Sequence, residues 1–230
     1  MPITFLQDIK MNKKTLAILG LGSQTTLHYI SELNRMFNLK HGGYSTCPFI
    51  LLNANFDAIN SLLPNTSKEL SRLTQVCIQD IEKLDTAHIL VPNITLHETI
   101  DQLSVKKNIL HPIHLTASKI KVQQHAKVIL MGSEYTMNSA YIRAIFSSKG
   151  IDIEIPTAED RLQIDVFRRQ VYAKQETKAQ IENYHNIIKK YTAKNPVVLA
   201  CTELSILKPK DNNKLFDMVD IQITAAINTL

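Results

Sequence analysis

Residues 128–136 read VILMGSEYT, and residues 16–26 read LAILGLGSQTT. In each stretch a short apolar run ends at a Gly-Ser pair, and a segment with helical spacing of its apolar residues follows. A short apolar run bounded by turn residues is typical of a buried strand. Each stretch therefore predicts a strand that leads directly into a helix, which is the repeating unit of α/β folds.

The same alternation of strand and helix continues along the chain. We predict strands near residues 15–20, 49–53, 87–91, 108–112, 127–131, 151–155 and 196–200. Helical patterns lie near residues 24–37, 67–84, 95–105, 136–148, 158–174, 176–194 and 216–228. This order indicates parallel sheets with helices on both faces. The predicted fold class is α/β.

The chain also resembles itself at a long interval. The two Gly-Ser turns, at Gly22 and Gly132, are 110 residues apart. The residues that follow two other predicted strands, Asn93 and Cys201, are 108 residues apart. Two such pairs at nearly one interval indicate two similar α/β halves. Chance likeness of short strand–turn–helix units is the alternative, because such units share their turn residues.

Composition excludes several classes of protein. The chain is 44% hydrophobic and 20% charged, as expected for a globular domain with a core. Its net charge of +5 is mild and spread out, so we expect no nucleic-acid partner. No apolar run reaches the roughly 20 residues of a membrane helix, and no export signal is evident. The three cysteines show no CxxC pairing, which indicates free thiols and a cytoplasmic location.

Ligands of parallel α/β sheets bind at the carboxyl ends of the strands. The free N–H groups and hydroxyls of such junctions suit a carboxylate, although helix capping alone is an alternative for Ser23, Ser133, Thr136 and Thr202. Two facing halves would bring one set of residues together around a crevice. That set is Gly22, Ser23, Asn53, Asn93, Thr95, Ser133, Thr136, Cys201 and Thr202.

Cys201 is the strongest single candidate for a catalytic residue. It lies between an apolar strand and a predicted helix start, where the helix dipole is expected to lower the thiol pKa. A thiolate there acts as a base or a nucleophile, whereas a buried packing role is the alternative. Cys47 and Cys77 are interpreted as packing residues.

Two further patterns could suggest a metal site and a dinucleotide-binding turn, but their details argue against both. Pro112 lies between His111 and His114 in a strand-like pattern, and strand alternation would place residues three apart on opposite faces, so we expect no metal site. Residues 20–25, GLGSQT, lack the third glycine of a dinucleotide-binding turn and the acidic residue that should follow. We therefore expect no nicotinamide or flavin cofactor.

Several motifs resemble those of one family. GLGS at 20–23, NANF at 53–56, GSEYTM at 132–137, PTAEDR at 156–161 and ACTE at 200–203 follow one another in order. They are similar to the motifs of the aspartate/glutamate racemases that work without pyridoxal phosphate. The resemblance implies two pseudo-symmetric Rossmann-like domains around an active-site cleft, no cofactor, and a homodimer. It also implies a small amino-acid or dicarboxylate substrate.

The resemblance further implies how the chain divides. Residues 1–112 together with 213–230 are expected to form the first half, and residues 113–212 the second half with Cys201. In the family, two cysteines face opposite sides of the substrate Cα, and one removes the proton that the other replaces. Inversion without a cofactor needs two such acid–base groups.

The chain departs from this pattern at the first cysteine motif, Pro-Cys-Asn-Thr-x-His. Residues 92–97 read PNITLH, so Asn93 replaces the cysteine and Ile94 the asparagine. An amide is not a base, and three outcomes stay open. Cys201 alone catalyses proton exchange, elimination or decarboxylation; Thr95 or His97 supplies the second acid; or the protein only binds a small carboxylate.

Overall fold

The structure, a computed structural model, describes residues 16–230 and contains two four-stranded sheets in which every strand pairs in parallel. The first sheet contains β1 (Leu16–Gly20), β2 (Phe49–Asn53), β3 (His88–Leu90) and β4 (Asn108–Ile109) in the order β2-β1-β3-β4. The second contains β5 (Lys127–Gly132), β6 (Asp152–Glu154), β7 (Val197–Ala200) and β8 (Leu215–Asp217) in the order β6-β5-β7-β8. The predicted fold class, α/β with two similar halves, is confirmed.

The strands alternate with helices, as the sequence predicts. The helices are α1 (Ser23–His41), α2 (Phe56–Asn60), α3 (Lys68–Glu82), α4 (His97–Ile100), α5 (Pro112–Val122), α6 (Glu134–Asn138), α7 (Ala140–Ser147), α8 (Ala158–Ala173), α9 (Lys178–Thr192), α10 (Thr202–Ile206) and α11 (Met218–Asn228). No helix within residues 16–230 is both long and apolar enough to cross a membrane.

The matching strand orders make β1 equivalent to β5 and β3 equivalent to β7. Asn93 follows β3 and Cys201 follows β7, so the two residues come after equivalent strands in the two halves. The two repeated pairs of the sequence, Gly22 with Gly132 and Asn93 with Cys201, therefore lie at or near the carboxyl ends of the central strands.

Helix α11 packs on both sheets. Met218 and Ile221 belong to the apolar cluster that contains Val128 and Val198 of the second sheet. Val219 and Ile223 belong to a different cluster, which includes Leu16 and Ile18 of β1 and Leu33 of α1. A helix that buries opposite faces in two cores connects the halves through their hydrophobic interiors.

Three predicted elements differ from the structure. The strand predicted over 108–112 contains only Asn108–Ile109, and α5 begins at Pro112, because proline suits the first helical position. The helix predicted over 95–105 is reduced to α4, and that over 136–148 is interrupted at Ser139. Strand β8 was not predicted. The division at residues 112 and 213 stays a prediction, and residues 1–15 lie outside the described residues.

Candidate active site

A cavity of about 480 Å³ opens between the carboxyl ends of the two sheets. This volume falls within the range of small-molecule sites. The first sheet and its helices contribute Gly22, Thr25, Phe56, Asn60, Leu63, Pro64, Pro92, Asn93, Ile94 and Thr95 to its wall. The second half contributes Ser133, Glu134, Tyr135, Thr136, Asp165, Arg168, Tyr172, Ala200, Cys201, Thr202 and Glu203.

Gly132 and Ser133 shape the junction between β5 and α6. A Cβ atom on Gly132 would lie 3.0 Å from the carbonyl oxygen of Ala200, so a glycine lets the ends of β5 and β7 come together. The Ser133 hydroxyl accepts a hydrogen bond from the Thr136 N–H at 3.1 Å and lies 2.7 Å from the Thr136 hydroxyl. Helix capping and a position in the cavity wall are therefore compatible for these two side chains.

Cys201 lies in the cavity wall directly after β7. Its thiol donates a hydrogen bond to Oε2 of Glu203 at 2.9 Å, and the residue is buried. Burial, followed by the negative charge of Glu203, raises the pKa of the thiol well above its usual value, while Arg168 acts weakly in the opposite direction. The predicted lowering of this pKa is wrong, because α10 has only five residues and its dipole is outweighed by burial and the carboxylate.

Asn93 lies in the wall, but its side-chain oxygen and its backbone carbonyl are used within its own loop. The side-chain oxygen accepts a hydrogen bond from the Leu96 N–H at 2.9 Å. The carbonyl oxygen accepts one from Nδ1 of His97 at 2.7 Å. An amide held in this way stabilises the turn after β3 and supplies no acid or base to the cavity.

His97 does not line the cavity. Its ring is completely buried, and burial together with the neighbouring His111 lowers its pKa to about 3. A neutral imidazole outside the wall cannot exchange protons with a substrate in the cavity. The structure therefore contradicts His97 as the second acid, whereas Thr95 does line the wall.

Most of the predicted site residues come together. Gly22, Asn93, Thr95, Ser133, Thr136, Cys201 and Thr202 all line the cavity. Ser23 and Asn53 do not, and both are exposed. Ser23 is the first residue of α1, and Asn53 ends β2, which is an edge strand and therefore lies farther from the facing half.

Sequence reasoning missed the contribution of α8 to the wall. Arg168 donates a hydrogen bond from Nε to Oδ1 of Asp165 at 2.7 Å, and both side chains line the cavity. Asp165 also pairs with Arg169 and accepts a hydrogen bond from the Glu134 N–H. Acidic and basic residues three apart on a helix are typical of a solvated face, so the pattern alone carried no signal of a site.

The ionisable groups of the cavity lie on one side. All of them belong to the second half: Glu134, Tyr135, Asp165, Arg168, Tyr172, Cys201 and Glu203. Among the described residues, the wall contributed by the first half contains no ionisable side chain. The cavity therefore offers proton-transfer groups to one face of a bound molecule and amide, hydroxyl and apolar groups to the other.

Comparison with known proteins identifies the family. The model of the Asp/Glu/Hydantoin racemase family matches residues 18–226. The chain belongs to this family. No curated protein shows significant sequence similarity to it.

Solved structures from the racemase family share the fold. A candidate Asp/Glu racemase from Yersinia pestis is 24% identical, with a TM-score of 0.80, over 94% of this chain and 98% of that one. An aspartate racemase homologue from Pyrococcus horikoshii OT3 is 18% identical, with a TM-score of 0.78, over 94% and 98%. The Picrophilus torridus aspartate racemase is 21% identical, with a TM-score of 0.74, over 94% of each chain. At these identities the likeness establishes a common two-domain fold.

Proposed function

We propose that this member of the racemase family is a cofactor-independent isomerase-like enzyme that acts at the Cα of a small amino acid, with Cys201 as its acid–base group. The observation that carries the proposal is a single thiol in the cavity wall, hydrogen-bonded to Glu203. Aspartate and glutamate are the first substrates to test, because the family and its solved relatives are named as aspartate or glutamate racemases.

The charges around the thiol support a zwitterionic substrate. Within the described chain, Glu203 has no salt-bridge partner, whereas Asp165 pairs with Arg168 and Arg169, and Glu134 pairs with Arg161. We expect the substrate ammonium near Glu203 and its carboxylate near Arg168 and the hydroxyl of Ser133 or Thr202. An ammonium at Glu203 would offset the negative charge that keeps the thiol protonated, so substrate binding would favour the thiolate.

A one-sided site changes the expected outcome of the reaction. The Cys201 thiolate would remove the α-proton, and the same thiol would return a proton to the same face. Inversion requires a donor on the opposite face, where Asn93 replaces the cysteine of the family. We therefore expect exchange of the α-hydrogen with solvent to be faster than inversion, with Thr95 or water as the remaining donor on that side.

Proton NMR in deuterium oxide tests this proposal. L-Aspartate, L-glutamate and a mixed amino-acid panel are incubated with the protein without pyridoxal phosphate, and loss of the Cα–H signal is followed beside a chiral assay. We expect exchange in the wild type and in Cys77→Ser, a thiol outside the cavity, and at least about a hundredfold slower exchange in Cys201→Ser. No exchange in the wild type, or equal exchange in Cys201→Ser, would refute the role of Cys201.

Asn93 supplies no acid or base to the cavity, and this supports two alternatives to the proposed isomerase. If the loss of the second thiol has removed turnover, the protein is a binder of small carboxylates. Titration calorimetry with aspartate would then give an affinity that Cys201→Ser changes only a few-fold. If the single thiol serves a decarboxylase or lyase, a panel of malonate-type substrates would release carbon dioxide in the wild type and not in Cys201→Ser.

A further inference from the structure

We infer that Asp101, His111 and His114 form a binding site for one divalent transition-metal ion, with Zn²⁺ as the best fit. The strand-like pattern from His111 to His114 predicted no metal site. His111 is instead the N-cap of α5, and His114 lies in the first turn. Residues three apart on a helix share a face, and the two rings lie 4.4 Å apart between centroids.

The donor atoms are spaced for a tetrahedral ion. Nε2 of His111 lies 3.5 Å from Oδ1 of Asp101, and Nε2 of His114 lies 3.6 Å from Oδ2. Zn–N and Zn–O bonds of about 2.1 Å place tetrahedral ligands about 3.4 Å apart. The three donor atoms all lie within 4.8 Å of one another, so small side-chain rotations bring them to one ion. Two imidazoles and a carboxylate are ligands that Zn²⁺ accepts, with water as the fourth.

Two of the three candidate ligands are accessible from solvent, and neighbouring side chains hold Asp101 and His111 in place. The side chains of Asp101 and His114 are 37% and 49% exposed, whereas that of His111 is 8% exposed. The Tyr141 hydroxyl donates a hydrogen bond to Oδ2 of Asp101 at 2.5 Å, which orients the carboxylate. Behind His111 the ring of His97 packs edge-on at 4.5 Å, and its buried Nε2 has no hydrogen-bond partner among the described residues.

Metal binding would change one local hydrogen bond. Nδ1 of His111 accepts a long hydrogen bond of 3.3 Å from the His114 N–H. A metal on Nε2 leaves the ring proton on Nδ1, so this capping bond would be exchanged for the metal bond. The competing arrangement keeps the proton on Nε2 and donates it to Tyr141 or Asp101, and it needs no metal.

The site lies where the chain passes from the first sheet to the second. Asp101 follows α4, His111 and His114 begin α5, and Tyr141 belongs to α7, which packs on the second sheet. A metal bound here would crosslink this junction, and none of its three ligands lines the cavity. We therefore expect bound Zn²⁺ to raise the thermal midpoint of unfolding.

Titration calorimetry of the EDTA-treated, tag-free full chain with Zn²⁺ tests the inference, with Co²⁺ absorption as a report of tetrahedral geometry. We expect one ion per chain, and at least about tenfold weaker binding in both Asp101→Asn and His114→Gln. The controls His41→Gln, an exposed histidine elsewhere, and Cys201→Ser should bind as the wild type does. Circular dichroism establishes that each variant is folded.

Two outcomes would overturn the site. One is the absence of stoichiometric binding by the wild type, which would leave the hydrogen-bonded arrangement of His111 and Asp101. The other is binding that Asp101→Asn and His114→Gln leave unchanged, which would place the ion elsewhere. Both outcomes are independent of catalysis at Cys201.

Discussion

Cys201 and Glu203 form a pair in which the carboxylate keeps its neighbour protonated. The thiol donates to Glu203 at 2.9 Å in a buried wall, and both burial and the carboxylate raise its pKa. A thiol that stays protonated is protected from alkylation and oxidation, both of which need the thiolate. Under the proposed function, the charge at Glu203 would therefore control when Cys201 can act as a base.

Replacing Glu203 with Gln should lower the pH at which Cys201 becomes reactive. The variant removes the negative charge but keeps an oxygen acceptor, so the pKa of the thiol falls while burial still holds it above its usual value. Iodoacetamide labelling of Cys201, followed by mass spectrometry from pH 7 to 10, should rise at lower pH than in the wild type. Glu134→Gln, whose carboxylate pairs with Arg161, is the matched control. An unchanged profile in Glu203→Gln would show that the carboxylate has no influence.

The pH dependence of exchange at Cα should follow the same thiol. Because the Cys201 pKa is raised, the fraction present as thiolate grows with pH through the neutral and alkaline range. We expect the wild-type rate of α-hydrogen exchange to rise steadily from pH 7 to 9. A rate that is flat or falling over this range would indicate that another group removes the proton.

Asn93 is the second residue at which chemistry can be tested directly. Asn93→Cys introduces a second thiol into the cavity wall but removes the acceptor of the Leu96 N–H, whereas Asn93→Ser keeps a capping oxygen without a thiol. We expect the ratio of inversion to exchange to rise about tenfold or more in Asn93→Cys, and to stay unchanged in Asn93→Ser. Equal ratios in both variants would mean that the residue at 93 does not face the substrate Cα.

Individual residues were predictable only in part. Gly22, Asn93, Ser133 and Cys201 lie within three residues of the ends of central strands, so the general rule for parallel sheets placed them in the cavity. Arg168 could not be found in this way, because it lies in the middle of α8 and reaches the cavity only through the packing of that helix. The Cys201 pKa also depends on burial, which the sequence does not state.

Elements were predictable where the apolar pattern was long and regular. Strand β1 is a fully apolar run and β5 is apolar after Lys127, both with glycine at the end, and α8 and α9 have long helical spacing. Helix α5 was missed because Pro112 was interpreted as the end of a strand, although it occupies the first turn of a helix. Strand β8 reads LFD, and its two apolar residues are too few to form an apolar run that predicts a strand.

The contact between β5 and β7 gives a test at the scale of elements. Gly132→Ala would place a Cβ 3.0 Å from the Ala200 carbonyl, which is backbone and cannot turn aside, so we expect a loss of about 1–3 kcal/mol in the free energy of unfolding. Because Cys201 follows Ala200, activity should fall as well. Gly22→Ala is the matched control, since its Cβ would meet Phe56 at 3.7 Å and its φ is −62°. Urea unfolding measures the free energy of unfolding of both variants. Equal stabilities of Gly132→Ala and Gly22→Ala would contradict the close approach of β5 and β7.

At the scale of the whole molecule, residues 16–230 contain two equivalent sheets, and α11 packs on both. The repeat at intervals of 108 and 110 residues predicted the duplication, and the matching strand orders agree with it. How α11 divides its faces between two cores was beyond the sequence, because the helix is apolar around most of its circumference. Gln222 adds a polar link, since it accepts a hydrogen bond from the Tyr29 hydroxyl at 2.7 Å and donates one to the Leu110 carbonyl at 2.6 Å.

A helix shared by two cores should make the two halves unfold together. Ile223→Ala opens a cavity beside β1 and α1, and a fully buried Ile→Ala change costs about 2–5 kcal/mol. We expect calorimetry of the variant to give a single transition at a lower temperature, because loosening α11 also weakens the contacts of Met218 and Ile221 with the second sheet. Val122→Ala, at a side chain that is 81% exposed, should change the free energy of unfolding by no more than about 0.5 kcal/mol. Two resolved transitions, of which Ile223→Ala shifts only one, would show that the halves are independent and that α11 belongs to the first alone.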